Sequence, residues 1–261
     1  MRAPALLSDG SSTGYGMGLS PSSYRGLEVV SHSGSLAGYR TEDWWFPREK
    51  LGVVVLCNRA DARSGELTGQ LAAVFLKDRM KPATAPPAGA AAEAGQRFAG
   101  VYRYASGQYA EFAMRGAEFV ALRPDRPLAQ VAPGVFVVQS NPDAARIAFD
   151  GLDRVRFIAE HQPVRVGERA MPTSLAPEAA ADFVGDYVSL EGGQAVHLRP
   201  GMLVALGDRP TEFPSLMTGA DRLWIPQLGF EIVFGRDGAG EVSGFTLNAG
   251  RARGLRYQRS R

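Results

Sequence analysis

The feature that most constrains the fold is an internal repeat in the second part of the chain. Residues 98–102 read Phe-Ala-Gly-Val-Tyr and residues 183–187 read Phe-Val-Gly-Asp-Tyr, and each opens a series of short apolar segments. The segments alternate apolar and polar residues between Gly, Pro, Asn or Asp, which is typical of short strands joined by turns. An open sheet of such strands would leave unpaired edges. The repeat therefore predicts a mainly β fold with two small antiparallel β-barrels.

A Pro- and Ala-rich segment separates the repeat from the N-terminal part of the chain. Residues 82–96 have the composition of an interdomain linker. We therefore predict four segments along the chain: an N-terminal block of strands and a helix, the linker, a first barrel and a second barrel. Their ranges are 1–81, 82–96, 97–171 and 172–261.

The N-terminal block has the pattern of three strands followed by one helix. Residues 28–35, 38–46 and 51–58 are rich in β-branched and aromatic residues and are separated by turn-forming residues. Residues 63–80 instead have apolar side chains at helical spacing, which predicts a helix with one apolar face. The side chains on that face are Leu67, Leu71, Val74 and Phe75.

A His-Ser-Gly tripeptide ends the apolar part of the first predicted strand, at His32, Ser33 and Gly34. With the strand–strand–strand–helix order, it resembles the closing segment of the penicillin-recognising serine hydrolases, which include class C β-lactamases and DD-peptidases. Their third motif is Lys or His, Thr or Ser, then Gly, on the edge strand of a sheet. Residues 15–19, Tyr-Gly-Met-Gly-Leu, match the strand that precedes it in this superfamily. The two barrels add a resemblance to the D-stereospecific aminopeptidases, of which the chain matches only the C-terminal half.

This resemblance implies a function for the tripeptide and for the barrels. Residues 1–81 would be the last strands and helix of a β-lactamase-like catalytic domain, followed by two lipocalin-like barrels that shape substrate access. His32 would be catalytic, acting on the substrate and helping to move a proton to the leaving amine. Ser33, Gly34 and Ser35 would bind the substrate, with the backbone N–H near Ser35 in the oxyanion hole. The substrate would be a small D-amino-acid amide, peptide or ester, cleaved through an acyl-serine intermediate.

The other two motifs of the superfamily are missing from the sequence. None of the three lysines follows a serine at the spacing Ser-x-x-Lys, and neither Tyr-x-Asn nor Ser-x-Asn occurs. An activated serine needs a base within hydrogen-bonding reach. We therefore expect the chain alone to be inactive, with the nucleophile supplied by a missing N-terminal catalytic half. The loop of the last barrel that limits substrate size in the aminopeptidases is also short here, at residues 227–229.

Two other interpretations remain open at the sequence level. The chain could be a non-catalytic protein whose tandem barrels bind a ligand or dock a partner, which hollow barrel interiors would favour. The many Phe, Leu and Val residues at inward positions predict filled interiors instead. Alternatively, the incomplete N-terminal block could expose its sheet and associate with a second copy as a homodimer. Residues 1–81 should in any case be the least stable part.

Composition excludes several other classes of function. A net charge of +2 without a basic stripe argues against binding to nucleic acid. No apolar run is long enough for a membrane span or a signal peptide, so we expect no membrane association and a cytoplasmic location. The single cysteine, Cys57, and three separated histidines offer no metal-ligand spacing, and we expect no cofactor. His161 and His197 are expected to be satisfied or solvated barrel residues.

Overall fold

The computed structural model describes residues 2–6, 10, 12–36, 38–59, 61–82, 91–122, 125–142, 145–159, 162–208, 211–249 and 252–260. Most of the predicted linker and His161 lie outside these residues. The predicted fold class is confirmed. The protein is mainly β, with a small four-stranded sheet, a closed eight-stranded barrel, a nearly closed nine-stranded barrel and few helices. None of the described helices has the length and apolar character needed to cross a membrane.

The N-terminal block forms an antiparallel sheet in the order β1-β2-β3-β4, followed by helix α1. Its elements are β1 (Ser20–Tyr24), β2 (Leu27–Leu36), β3 (Tyr39–Phe46), β4 (Leu51–Cys57) and α1 (Ser64–Leu76). The three strands and the helix predicted from the sequence are present. The resemblance placed the strand that precedes the His-Ser-Gly strand at residues 15–19. In the structure that strand is β1, which begins only at Ser20.

Helix α1 packs on the sheet through the face opposite to the predicted one. Most of the residues that it buries are small or polar, among them Thr68, Gly69 and Ala72, and Leu76 at its end is the one large apolar residue buried in this helix. Gly69 is needed because a Cβ there would lie 2.7 Å from the Tyr24 hydroxyl oxygen. The sheet surface beneath the helix is filled by large rings, including Tyr24 and Trp44, which favours small residues in the middle of the helix. The predicted apolar face is therefore exposed: Leu67, Leu71, Val74 and Phe75 are between 42% and 70% accessible.

The first barrel follows helix α2 (Ala91–Phe98), which occupies the end of the segment predicted as a linker. Eight strands run up and down in chain order, and β12 pairs with β5 to close the barrel. The strands are β5 (Gly100–Tyr104), β6 (Tyr109–Arg115), β7 (Glu118–Ala121), β8 (Arg126–Ala132), β9 (Val135–Val138), β10 (Ala145–Asp150), β11 (Arg154–Ala159) and β12 (Arg165–Ala170).

Aromatic rings fill the interior of the first barrel. The ring of Phe98, at the end of α2, stacks on Phe149 with centroids 4.5 Å apart. Phe119 and Phe136 contact each other at 5.0 Å, and Phe112 contacts Phe149 at 5.2 Å. All five side chains are buried. The prediction of a filled interior is consistent with this packing.

The second barrel follows a short helix, α3 (Pro177–Ala180), and a 3₁₀ turn at Ala181–Phe183. Each of the nine strands pairs with the next one along the chain except β16 with β17, and β13 also pairs with β21. The strands are β13 (Gly185–Ser189), β14 (Val196–Arg199), β15 (Leu203–Leu206), β16 (Glu212–Pro214), β17 (Leu216–Gly219), β18 (Arg222–Ile225), β19 (Phe230–Arg236), β20 (Val242–Ala249) and β21 (Ala252–Arg259).

The second barrel is open only between β16 and β17, which are consecutive in the chain. Ser215 alone separates them, and both its backbone N–H and its hydroxyl donate to the carbonyl oxygen of Met202. β16 and β17 therefore act as one strand that bends away from its ladder. Thr173 covers the start of β17 through an isolated bridge to Met217.

The chain divides into two compact units. One comprises residues 1–99 and 111–166, and the other comprises residues 100–110 and 167–261. Strand β5, the turn after it and most of β12 thus group with the second barrel. The four segment boundaries predicted from the sequence stay predictions.

Candidate functional site

The His-Ser-Gly tripeptide lies in β2, where that strand extends beyond its neighbour β1. The β1–β2 ladder runs from Tyr24 opposite Leu27 to Ser20 opposite Ser31. Beyond Ser31, β2 continues to Leu36 and pairs with β3 alone among the described strands. The tripeptide thus begins at the point where one side of β2 becomes an edge.

The ladder geometry determines which backbone groups of β2 face this edge. Tyr24 and Leu27 flank the two-residue turn Arg25–Gly26, whose φ angles are 48° and 79°. In such hairpins the flanking pair exchanges both hydrogen bonds, and every second residue then bonds to the same neighbour. Every second residue of β2, counted from Leu27, directs its backbone N–H towards the β1 side. Beyond the end of β1, this series continues with Ser33 and Ser35. The backbone N–H groups of Ser33 and Ser35 therefore face the unpaired edge.

His32 lies on the sheet face opposite to helix α1. Its side chain is exposed, and Asp43 on β3 is directly opposite in the ladder. The ring of Tyr15, from the segment before β1, lies 6.2 Å from the His32 ring at an angle of 52°. An accessible imidazole with an aromatic neighbour and a carboxylate across the ladder can donate a proton to a bound group.

Gly34 has a packing reason to be glycine. It is opposite Thr41, and a Cβ at Gly34 would overlap the Thr41 hydroxyl oxygen. Thr41 is β-branched and has few alternative rotamers, so it cannot easily move aside. The resemblance assigns Gly34 to close approach of a substrate. The structure adds that a neighbouring side chain already occupies the space.

Glu42 is a half-buried carboxyl, whereas the sequence favoured a solvated face for it. It is opposite Ser33 on the α1 side of the sheet, and Trp44 Nε1 donates to its Oε1 at 2.8 Å. A Cβ on Gly65, in the first turn of α1, would lie 3.8 Å from Oε2. Burial raises the pKa of Glu42 above its usual value, opposed by the Trp44 hydrogen bond. The sequence did contain a signal for this burial. Glu42 is two residues before Trp44, and alternation along a strand places both side chains on the same face.

The predicted site residues are close in the chain but divide between two faces. His32 and Gly34 lie on one face with Asp43 and Thr41, whereas Ser33 and Ser35 point to the α1 side. Only the edge-facing backbone of Ser33 and Ser35 and the side chain of His32 can meet one ligand along β2. Among the described residues, no group of three or more His, Cys, Asp or Glu side chains could hold a metal ion.

His197 has a partner in the second barrel. Its Nδ1 lies 2.7 Å from Oδ1 of Asp186, which also accepts from Arg199 at 2.6 Å. Hydrogen bonds from His197 and Arg199 lower the pKa of Asp186. The prediction of a satisfied histidine is therefore confirmed for His197.

Three solved structures resemble part of the chain. An octameric penicillin-binding protein homologue from Pyrococcus abyssi covers 64% of this chain and 39% of its own, at 20% identity and a TM-score of 0.28. SurE covers the same shares at 17% identity, and SurE with D-Leu covers 64% and 40% at 18% identity, both with a TM-score of 0.28. The similarity is partial.

The chain spans about two fifths of the length of these structures, which align over 39–40% of their chains. No protein-family model and no curated protein matches it. A TM-score of 0.28 carries no functional argument by itself, so what the chain's own residues can do decides the function proposed for it.

Proposed function

We propose that this chain is the C-terminal part of a serine hydrolase of the D-aminopeptidase and β-lactamase-like type. The intact enzyme would hydrolyse small D-amino-acid amides, peptides or esters through an acyl-serine intermediate. The observation that carries the proposal is the edge at His32–Leu36. There an exposed imidazole and the backbone N–H groups of two further residues, Ser33 and Ser35, are available on the same stretch of β2.

Each group on this edge has a defined part in acyl transfer. A carbonyl substrate along β2 can accept from a backbone N–H, and the N–H of Ser35 would stabilise the oxyanion. The His32 imidazole would help to protonate the leaving amine, since histidine is the side chain that most often transfers protons in catalysis. The serine nucleophile and its lysine base would come from the missing N-terminal half.

The rival function is a non-catalytic barrel module for a ligand or partner. The packing inside the barrels speaks against a ligand cavity, because buried rings such as Phe119 and Phe136 occupy the first interior. The second interior is lined by buried apolar side chains, including Tyr187 and Phe245. The rival therefore lacks an observation of its own.

The first experiment reads the DNA upstream of codon 1 in all frames and expresses the extended protein. We expect a frame with Ser-x-x-Lys and Tyr-x-Asn. The extended protein should be labelled by fluorescent penicillin and should hydrolyse D-alanine p-nitroanilide, whereas the present chain should do neither. His32→Ala should lower kcat/KM by about 10²- to 10⁴-fold, the usual contribution of a general acid or base.

Two further variants separate the role of His32 from a loss of folding. His32→Lys should keep penicillin labelling, because the third motif of the superfamily begins with either residue. His197→Ala, which removes a partly buried histidine hydrogen-bonded to Asp186 in the second barrel, should leave kcat/KM unchanged. An extended protein that carries both motifs and stays unlabelled would contradict the proposal, as would the lack of any such frame.

A further inference from the structure

A buried carboxylate in the second unit joins a strand of the first barrel to the nine-stranded sheet. The side chain of Glu231, on β19, is fully buried. Arg103, on β5, binds it through two hydrogen bonds, with Nε at 2.5 Å from Oε1 and Nη2 at 3.0 Å from Oε2. Paired bonds of this kind fix the relative orientation of the two groups as well as their distance.

Two neutral side chains complete the hydrogen bonding of this carboxylate. The Tyr109 hydroxyl donates to Oε1 at 2.9 Å, and Asn248 Nδ2 donates to Oε2 at 2.9 Å. Each oxygen of Glu231 thus accepts two hydrogen bonds, which uses the full capacity of an ionised carboxylate. Burial opposes ionisation, but these hydrogen bonds hold the pKa of Glu231 below its usual value. Burial also raises the pKa of Tyr109, so its hydroxyl keeps its proton.

The turn between β5 and β6 fits closely against this cluster. A Cβ at Gly107, whose φ is +76°, would lie 2.5 Å from Oε2 of Glu231 and 2.7 Å from Asn248 Nδ2. The Tyr109 ring stacks on Trp224 with centroids 4.9 Å apart and an angle of 17° between planes. Its hydroxyl also lies 2.7 Å from Thr218 Oγ1. The turn therefore contacts β17, β18, β19 and β20.

We propose that Glu231 and its partners are a lock that holds the β5–β6 turn on the second barrel in one orientation. Well-packed apolar residues can stabilise a buried contact as well as an ion pair does, but hydrogen bonds of defined direction also fix the geometry of the groups that they join. The carboxylate of Glu231 accepts four of them. The turn, residues 104–109, should consequently open together with the second barrel and not with the strands of the first barrel that follow it.

Hydrogen–deuterium exchange of the full chain tests this lock. In Glu231→Gln, Arg103 loses its counter-charge, so exchange in peptides covering 100–110 should become at least tenfold faster than in the wild type. Peptides covering 145–159 should change by less than twofold. The matched control is Asp150→Asn, which removes an exposed Arg–carboxylate pair of the same paired geometry with Arg156. It should leave 100–110 unchanged.

If Glu231→Gln does not fold, a second variant tests whether Glu231 and its partners hold the turn. Arg103→Met with Glu231→Leu replaces this pair by two apolar side chains, and Arg222, whose Nε lies 3.5 Å from Glu231 Oε1 in the wild type, keeps its partly exposed position. We expect it to keep the wild-type circular dichroism while exchange in 100–110 stays faster than in the wild type. Wild-type exchange in 100–110, in either folded variant, would overturn the proposal, because packing alone would then hold the turn.

Discussion

Glu42 occupies an unfavourable position for a charged carboxyl. It lies on the buried face of β3 beside Trp44, and burial raises its pKa. The folded state therefore binds the Glu42 proton more tightly than the unfolded chain does. By linkage, the free energy of unfolding falls as pH rises from the ordinary glutamate pKa through the raised one.

This linkage predicts the effect of Glu42→Gln on stability. The variant removes the group that must ionise in a half-buried place, so its urea midpoint at pH 7 should exceed that of the wild type. The difference should disappear below the ordinary pKa of 4.5, where the wild-type carboxyl is protonated in both states. Urea unfolding at pH 7 and pH 4 measures it, with Asp43→Asn on the exposed face as control. A variant that is less stable at pH 7 would contradict the assignment.

At this same scale, the strand that carries the candidate site was predictable from the sequence, whereas the surroundings of its residues were not. The tripeptide at His32 was visible as a motif, and its place in a strand followed from the β-branched residues before it. The environment of Glu42 was not visible, because the sequence does not show which face of β3 helix α1 covers. Gly34 was interpreted through its backbone, whereas Thr41, its partner across the ladder, depends on register.

Among the elements, β4 has the most unusual surroundings. It pairs only with β3 among the described strands, and its seven residues include no charge and no proline. On the face away from α1, Val54 and Leu56 are 61% and 76% accessible. Natural edge strands usually carry charges or proline that prevent pairing with another chain. Because β4 lacks these features, we propose it as a site for self-association.

We therefore expect the chain to associate at high concentration through β4. Val54→Lys should reduce association, because a charge on the strand opposes pairing with a second copy. Sedimentation velocity over a concentration series measures the effect. Val188→Lys is the matched control, since Val188 is similarly exposed on β13, a strand paired on both sides. Equal association of both variants and the wild type would rule out β4 as the contact.

Helix α1 shows why element surfaces were harder to predict than the elements themselves. Apolar spacing located the helix but placed its core face on Leu67 and Leu71, which are exposed. The face that packs is chosen by the partner surface, here the Tyr24 and Trp44 rings, which favour small residues such as Gly69 in the middle of the helix. Spacing within one element contains no information about the surface that it meets.

For the molecule as a whole, the repeat was the strongest predictor. Two copies of alternating segments led to two barrels, and the structure confirms them. The break in the second barrel was not predicted, because it depends on Pro214 and Ser215 together. Proline has no N–H to continue the ladder, and the groups of Ser215 bond to Met202 instead.

The cores differ enough in size to predict an order of opening. Among the described residues, eight buried apolar side chains form the core of the N-terminal sheet, whereas sixteen form that of the second barrel. Since apolar burial supplies most of the stability, the sheet should open first. Exchange in increasing urea should show β3 and β4 amides losing protection before those of β19 and β20. Simultaneous loss would contradict this order.

The gap between β16 and β17 also affects the order in which the strands of the second barrel can pair during folding. Every strand pair in it is local along the chain except β13 with β21, for example Tyr187 with Arg259. Bringing distant segments together costs loop-closure entropy and slows folding. Among the nine strands alone, a chain order that began at Ser215 and joined residue 260 to residue 184 would make that pair local without separating any two bonded strands. We therefore expect closure of β13 on β21 to be the slow step in the folding of the natural chain.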